Sequence, residues 1–538
     1  MNLTTISTIG LESNEISMKL YEFGKKGLIE LECIRRPLIC IPDFSHNCKA
    51  LDCSVINDLH LIIQDFSLKL KEYQVEECSA YAVGTFWNDR NQLFVLDRLR
   101  RSSKINIKLL DSNTKHFFYL RSLFSLPVVG THTIKKDFIF TEFTDDCMFF
   151  SLFHDDRFLS MRQIPIGRIQ FESLLSKTEL ASTDQTFELK ELIDLTLGEY
   201  ARLSLKDYRL HQVVGVGCVT NDYLRLGFHA FRHHNSSESD TFNKRIALNS
   251  SAPVCISRND FIGYVHVLKT AGTQQLSYSL GISQQEAAFI TPLAMVYQEL
   301  LTLTGASQLY LPGISLCDAL LADLCINKGL LSLTRDFTKD SISSAREIAF
   351  SYESDVAHLH CVEQLGLQLF DTLKAEYGLK KRDRLLLQLA ILLHQCGTKI
   401  NSMQPLKTSA TLIATMKLPG ITTMELRLIA DIVQFECHHA LQDGSAGPLY
   451  QEEDWIRLCK LSNIFLLADA LDASHKQKIE TLKLTKKTSL LVLTATTAQR
   501  LNLEQTKLNL QADYFESVFQ LRPVLKLKKE HTAWETLN

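Results

Sequence analysis

The stretch that decides the fold is Leu385–Gly397, LLLQLAILLHQCG, an apolar run that ends in a histidine and a glutamine. A second apolar run, Lys460–His475 (KLSNIFLLADALDASH), carries Asp469 in the same kind of setting. Apolar residues recur at three-and-four spacing through both runs, which predicts amphipathic helices. Polar and charged groups in such surroundings are costly unless they are paired or bind an ion. The pattern therefore predicts a helical domain with a polar or metal site inside it.

His358, which opens another helical segment, completes a set with His394 and Asp469. The order histidine, histidine plus neighbour, acid resembles the HD-type helical domain, whose pattern is H…HD…D. Imidazole and carboxylate suit divalent transition metals, so His358, His394 and Asp469 are the predicted metal ligands. The aspartate of the HD pair is Gln395 here, a neutral and weak ligand. A second interpretation stays open, in which both histidines are satisfied core residues and Asp469 pairs within the bundle.

Composition is typical of a soluble protein with several domains. The 538 residues carry a formal net charge of −3, which gives no overall attraction to DNA or to anionic membranes. Any polyanion site must therefore be a local patch. No apolar run reaches the roughly 18 residues of a membrane span, and the first residues lack the pattern of a signal peptide. Fourteen cysteines without CxxC pairs indicate free thiols, so we expect a cytoplasmic protein without DNA or membrane partners.

The flanking segments predict an α/β fold followed by an all-α domain. Strand-like and helix-like segments alternate through residues 1–125 and again through residues 126–312, which indicates two layered α/β lobes. Residues 313–485 are predicted to be helical and HD-like. Residues 486–538 are predicted to form a small C-terminal α+β unit.

This architecture resembles the Ppx/GppA family of exopolyphosphatases and guanosine pentaphosphate phosphatases over nearly the whole chain. The helical stretches carry the resemblance best, and Tyr81–Thr85 (YAVGT) and Ile164–Gly167 (IPIG) support it in the lobes. The resemblance implies actin/hexokinase-like, ribonuclease-H-like lobes. It also implies release of terminal phosphate from inorganic polyphosphate or guanosine tetra- or pentaphosphate, with Mg²⁺ and water as the nucleophile. Partnership as a homodimer, or as a heteromer with a family member, follows from the same resemblance.

The family's phosphate-binding loops are only partly kept. Its D-x-G-S-N-S loop falls on residues 10–15 (GLESNE), where Gly10 replaces the metal-binding aspartate. Its T-S-A-x-R segment keeps only the threonine, and a later glycine turn is partly kept. The phosphate-binding residues that the resemblance implies are Ser13, Asn14, Thr85, Gly215 and Gly217.

No catalytic residue is assigned by this alignment. The family's G-x-E-E-A segment, which bears its catalytic glutamate, falls on Ser112–His116 (SNTKH), and its second phosphate loop falls on Thr141–Cys147 (TEFTDDC), which has no glycine. Glu142 and Asp145 are the carboxylates that a metal could still use there. Two functions stay open: an exopolyphosphatase-like hydrolase, or a catalytically inactive pseudoenzyme that binds polyanion or regulates or pairs with an active family member. A third, an HD-domain phosphohydrolase, is opposed by Gln395.

Overall fold

The computed structural model describes residues 4–13, 15–24, 27–38, 53–84, 91–126, 134–177, 182–205, 208–233, 253–435 and 450–528. The chain divides into two compact units, Met1–Asp336 and Phe337–Asn538. They are called unit 1 and unit 2 below.

The first sheet of unit 1 consists of β1 (Thr4–Leu11), β2 (Glu15–Gly24), β3 (Gly27–Pro37), β4 (Glu77–Ala82) and β5 (Ile107–Leu109). Its strand order is β3-β2-β1-β4-β5. β1 pairs antiparallel with β2 and parallel with β4. The sheet thus combines an antiparallel meander, β1 to β3, with a parallel part formed by β1, β4 and β5. β1 is buried continuously from Ile6 to Leu11, including the polar residues Ser7 and Thr8, so both of its faces are covered.

The second sheet repeats this topology. Its strands are β6 (Phe138–Phe143), β7 (Met148–His154), β8 (Arg157–Ile164), β9 (Gln212–Val216), β10 (Val254–Ser257) and β11 (Gln308–Leu311). The order is β10-β11-β9-β6-β7-β8, with β6 antiparallel to β7 and parallel to β9. Two sheets with the same meander-plus-parallel arrangement agree with an actin-type α/β fold.

Ten α-helices are described in unit 1, with a π-helical turn at Ala201–Leu205. They are α1 (Cys53–Glu72), α2 (Gln92–Ser103), α3 (Ser112–Leu123), α4 (Arg168–Lys177), α5 (Ser182–Tyr200), α6 (Cys218–His233), α7 (Arg258–Leu280), α8 (Gln284–Ala288), α9 (Ile290–Thr304) and α10 (Leu316–Asn327). Asp111 caps α3 by accepting hydrogen bonds from the backbone N–H groups of Asn113 and Thr114. This cap fixes where the first turn of α3 begins.

α10 lies in unit 1, whereas the sequence prediction assigned it to the helical domain from residue 313. The reason is its polar and apolar contact with β1 and β2. The Thr8 hydroxyl donates to the Cys317 carbonyl at 3.0 Å, and Lys19 Nζ lies 2.9 Å from Asp318 Oδ1. The other domain bounds stay predictions.

Unit 2 contains seven described α-helices and a three-stranded sheet. The helices are α11 (Phe337–Ser351), α12 (Val356–Leu373), α13 (Lys381–Leu393), α14 (Pro405–Thr415), α15 (Thr423–Gln434), α16 (Glu452–Ala470) and α17 (Asn502–Phe519). The strands are β12 (Thr481–Lys487), β13 (Leu490–Thr496) and β14 (Arg522–Lys528). Leu491 and Phe515 share one core with Leu389 and Ile464, so the C-terminal α+β segment is packed into the helical unit rather than separate from it.

One described stretch, Gln284–Thr304, passes for a membrane span by length and composition, and 67% of it is buried inside the protein. Leu293, Val296 and Leu300 of this stretch are fully buried in the core of the second sheet. Burial of this kind is what a core helix of a water-soluble domain shows.

Candidate functional sites

Glu12, Lys115 and Glu142 form a charged cluster between the two sheets of unit 1. Lys115 Nζ lies 3.2 Å from Glu142 Oε1 and 3.6 Å from Glu12 Oε1. The Glu142 side chain is fully buried and that of Lys115 is 9% exposed. Charges so far from water persist only when they are paired. Lys115 therefore neutralises the carboxylates of this cleft from inside the protein.

The pKa values of the cluster follow from burial and pairing. Burial raises the pKa of Glu142, but Lys115 and His116 outweigh burial, so this pKa is lowered and Glu142 is ionised. Burial lowers the pKa of Lys115, but Glu142 and Glu12 outweigh burial and raise it. Burial raises the pKa of Glu12, and Lys115 offsets this only in part. The cluster thus contains a charged Lys115–Glu142 pair.

His116 occupies the second oxygen of Glu142. Its Nδ1 donates to Glu142 Oε2 at 2.9 Å, and its Nε2 lies 2.8 Å from the Ser151 hydroxyl oxygen. The imidazole is fully buried and stacks on Phe149 with ring centroids 5.0 Å apart. Glu142 Oε2 is therefore hydrogen-bonded within the protein, whereas Glu142 Oε1 makes no hydrogen bond to the described residues and has the Lys115 ammonium group 3.2 Å away.

The predicted phosphate-binding residue Ser13 is also engaged by the protein. Its hydroxyl donates to Asp145 Oδ2 in a short hydrogen bond. Gly84 lies beside it at φ +101°, and a Cβ at this position would come within 2.7 Å of Ser13 Oγ. The other two residues predicted in these loops, Asn14 and Thr85, lie outside the described residues.

Gly215 and Gly217 have packing roles. A Cβ on Gly215 would collide with the Tyr297 hydroxyl, and one on Gly217, at φ +78°, would lie 2.7 Å from Glu142 Cγ. The Tyr297 hydroxyl donates to Asn221 Oδ1 at 2.8 Å, and Asn221 Nδ2 donates to the Gly217 carbonyl at 2.7 Å. Glycine occupies both positions because neighbouring side chains approach the backbone closely, and because Gly217 has a left-handed backbone conformation.

Gly10, which the sequence comparison predicts to replace the family's metal-binding aspartate, lies close to the side chain of Leu316. A Cβ on Gly10 would lie 2.7 Å from Leu316 Cδ2. Mg²⁺ is held by carboxylates and other oxygen ligands in near-octahedral geometry. Among the described residues of this cleft, Gly10 offers no side-chain ligand for Mg²⁺, and Glu142 is paired with Lys115.

The three predicted metal ligands come together in unit 2. His358 Nε2 lies 3.2 Å and His394 Nε2 lies 3.6 Å from the same oxygen, Asp469 Oδ1. One ligand atom from each of the three residues lies within 4.8 Å of the others. Both histidines are buried, whereas the Asp469 side chain is 42% exposed. The cluster is therefore open to solvent on the carboxylate side.

The protein orients both imidazoles toward Asp469. His358 Nδ1 donates to Asp472 Oδ2 at 2.9 Å, and His394 Nδ1 donates to the Ile391 carbonyl at 2.6 Å. Burial lowers the pKa of His358, but hydrogen bonds to Asp469 and Asp472 outweigh burial and raise it to about 9. Partners on Nδ1 direct Nε2 to the ligand position, as in metal-binding histidines generally.

Gln395 takes no part in this constellation. Its Oε1 accepts a hydrogen bond from the Asp355 backbone N–H at 2.9 Å. Asp355 in turn caps α12 by accepting from the His358 N–H at 3.1 Å, and its other oxygen accepts from His475 Nδ1 at 3.1 Å. Gln395 thus helps to fix the first turn of α12.

Sequence reasoning missed the roles of Lys115, Asp472 and His475. Asp472 follows Asp469 by three residues. In a helix this spacing places both residues on one face, so the sequence could have indicated that Asp472 belongs to the same site. His475 stacks on His358 with ring centroids 3.7 Å apart, from a left-handed backbone position at φ +54°. That placement depends on a turn whose shape the sequence did not reveal.

Residues 342–517 match the family model described as Ppx/GppA phosphatase, domain III. The Aquifex aeolicus member of the Ppx/GppA family is similar in structure at 10% identity and a TM-score of 0.47, covering 61% of this chain and 99% of that one. An exopolyphosphatase from Cytophaga hutchinsonii is similar at 14% identity and a TM-score of 0.49, covering 61% of this chain and 98% of that one. The matched stretch contains His358, His394 and Asp469. Over residues 342–517, the chain is similar to the third domain of Ppx/GppA phosphatases.

Proposed function

We propose that this chain is an exopolyphosphatase-like protein that has lost hydrolysis in the cleft of unit 1 and acts as a binding or regulatory pseudoenzyme. The observation that carries the proposal is the position of Lys115. Its ammonium group lies between Glu142 and Glu12, in the segment that bears the catalytic glutamate elsewhere in the family. A positive charge stands where the reaction needs a base.

The chemistry of phosphoryl transfer explains why this change matters. Transfer to water needs divalent cations to neutralise the phosphate oxygens and a group that positions the attacking water. Glu142 is buried and paired, and Asp145 accepts the Ser13 hydroxyl. The two carboxylates that the sequence left available for a metal are thus both used within the protein.

The ligand of the pseudoenzyme is part of the proposal. The family resemblance supports inorganic polyphosphate or guanosine tetra- or pentaphosphate as the polyanion. It also supports a cytoplasmic location and pairing, either as a homodimer or with an active family member. The net charge of −3 requires such a polyanion to bind at a local basic patch.

A second candidate function is metal-dependent hydrolysis at His358, His394 and Asp469. The observation that favours it is the direction of both imidazoles, whose Nδ1 atoms are bound to protein acceptors while their Nε2 atoms face Asp469. Two nitrogens and one oxygen with an open side resemble the donor set of a catalytic transition-metal site. A divalent ion held there would acidify a bound water.

Phosphate release separates the two candidates. We would measure it from long-chain polyphosphate and from guanosine pentaphosphate, with Mg²⁺ or Mn²⁺, beside an active family member. We expect no release by this chain. Turnover lost in a Glu142→Gln, Asp145→Asn double variant would contradict the proposal. Turnover lost instead in His358→Ala, but kept in the control His360→Ala at an exposed position of the same helix, would establish the second candidate.

A further inference from the structure

Four metal-ligating side chains gather at one end of the second sheet, at the opposite end of β6 from Glu142. Asp137 directly precedes β6, His154 ends β7, and His211 directly precedes β9. Phe138 of β6 is opposite Phe153 of β7 and opposite Gln212 of β9. This register brings Asp137, His154 and His211 to the same edge. Asp155 begins the turn that leads into β8.

The ligand atoms of these side chains are close together. Asp137 Oδ1 lies 2.9 Å from His154 Nδ1, and Asp137 Oδ2 lies 3.7 Å from His211 Nε2. Asp155 Oδ2 lies 3.9 Å from His154 Nε2. One ligand atom each from Asp137, His154 and Asp155 lies within 4.8 Å of the other two. Such spacing lets a single ion contact all three residues.

The imidazole of His154 is 35% exposed and contacts the Tyr208 ring, and its Nδ1 side is turned into the protein. Its Nδ1 atom is buried and makes no hydrogen bond of acceptable geometry to any described residue, although Asp137 Oδ1 lies 2.9 Å away. Asp137 Oδ1 instead accepts the Asp155 backbone N–H at 2.8 Å. A buried nitrogen without a hydrogen bond calls for a bound ion or water as its partner.

The backbone of the turn after His154 is a second observation that supports a bound ligand here. Asp155 and Asp156 have left-handed φ values of 48° and 60°, the conformation of a two-residue hairpin turn that favours Asn-Gly or Asp-Gly. Two adjacent aspartates are a poor choice for folding alone. Asp156 is accounted for by its ion pair with Arg335 at 3.1 Å, whereas Asp155 Oδ2 lies 3.9 Å from His154 Nε2.

We infer that Asp137, His154 and Asp155 form a binding site for a divalent transition-metal ion of the zinc class, with His211 beside it as a fourth donor. Imidazole nitrogen combined with carboxylate oxygen suits zinc, whereas Mg²⁺ and Ca²⁺ prefer sets made of oxygen. The ion would join the ends of β6, β7 and β9. Binding to the folded state alone would raise the stability of unit 1.

Zinc stoichiometry of the full chain tests the site. Equilibrium dialysis against zinc chloride, followed by elemental analysis, would compare wild type with His154→Gln, Asp137→Asn and the control Asp156→Asn. We expect both site variants to bind one zinc ion fewer per chain than wild type, and Asp156→Asn to bind as wild type. Because the result is a difference, it does not depend on whether His358, His394 and Asp469 hold metal or on any hydrolytic activity.

Two outcomes would overturn the inference. Equal zinc content in wild type and in His154→Gln would show that the side chain is not a ligand. An equal loss in Asp156→Asn would show that only the charge of the turn matters. His154→Gln is the decisive variant, because Asp137→Asn also alters the acceptor of the Asp155 N–H. Unchanged circular dichroism would verify that each variant is folded.

Discussion

Lys115 Nζ lies 3.2 Å from Glu142 Oε1 within the protein interior. This pair joins α3, which follows the first sheet, to β6 of the second. In the proposed pseudoenzyme, this internal ion pair takes the place of the interactions that a metal and a phosphate would make. The pair therefore predicts a stability effect at a position where an enzyme would show an activity effect.

Removing the Lys115 charge is expected to destabilise unit 1 strongly. Lys115→Met leaves Glu142 ionised and buried without its cation, and loss of one partner of a buried pair costs about 3–5 kcal/mol. Urea unfolding would measure the change in the free energy of unfolding, with Lys108→Met on exposed β5 as the control. A loss no larger than that of the control would show that the pair contributes nothing.

Asp472→Asn is expected to weaken metal binding at the unit 2 site. Asp472 accepts the His358 Nδ1 proton at 2.9 Å and is itself 1% exposed. Loss of a partner that orients a ligand histidine typically lowers metal affinity by about 10–100-fold. Calorimetric titration with Mn²⁺ or Zn²⁺ would measure this, with Asp454→Asn in the first turn of α16 as the control. Equal affinities for the two variants would argue that the histidines are structural core residues.

Gln395→Asp is expected not to increase bound metal. The Gln395 side chain reaches the Asp355 backbone N–H, and a shorter, charged side chain would lose that hydrogen bond and add a negative charge near the Asp355 carboxylate. Loss of one such hydrogen bond typically costs about 1 kcal/mol. Elemental analysis and thermal unfolding would read out both effects. A gain of one ion per chain would mean that the pocket can still accept the family's ligand set.

Glu15 is expected to make the stability of unit 1 fall as the pH rises from about 4.5 to about 7. Burial, the largest effect, raises its pKa from 4.5 to about 7 despite Arg35 nearby. In this window the folded state binds the proton and the unfolded state does not, so stability is greatest at low pH and declines as the pH rises through the folded pKa. The shift corresponds to about 3 kcal/mol.

The variant Glu15→Gln should remove this part of the pH dependence, whereas Glu76→Gln, at an exposed position, should keep it. Urea unfolding between pH 4 and pH 8 would compare the three proteins. Parallel curves for wild type and Glu15→Gln would show that Glu15 titrates normally in the folded state.

Parts of the fold were accessible from the sequence because they depend on local patterns. The apolar periodicity of Leu385–Leu393 predicted a buried helix, and α13 is buried over this stretch. His358 and His394 could be predicted as site residues because polar side chains are unusual in apolar helices. α10 was assigned to the helical domain because its sequence is helical like the segments after it, and only contacts between residues far apart in the chain, such as Cys317 with Thr8, place it in unit 1.

The charged cluster of unit 1 was harder to predict from the sequence, because it also depends on contacts between residues that are far apart in the chain. Lys115 looked like the loss of a carboxylate, and nothing local indicates that its ammonium group lies near Glu142 and Glu12. Those contacts arise from the packing of α3 against two sheets, and ion pairs distant in sequence leave no periodic signal. The sequence likewise provided no indication that Gly10 lies close to Leu316, which is 306 residues further along the chain.

The central claim is that the cleft of unit 1 no longer holds a catalytic cation. The most direct test is an anomalous difference map from a crystal of the full chain grown with Mn²⁺ and polyphosphate. We predict no manganese peak within coordination distance of Glu142, Glu12 or Asp145, and clear density for Lys115 between the two glutamates. A manganese peak bridged by those carboxylates, with Lys115 displaced, would contradict the account.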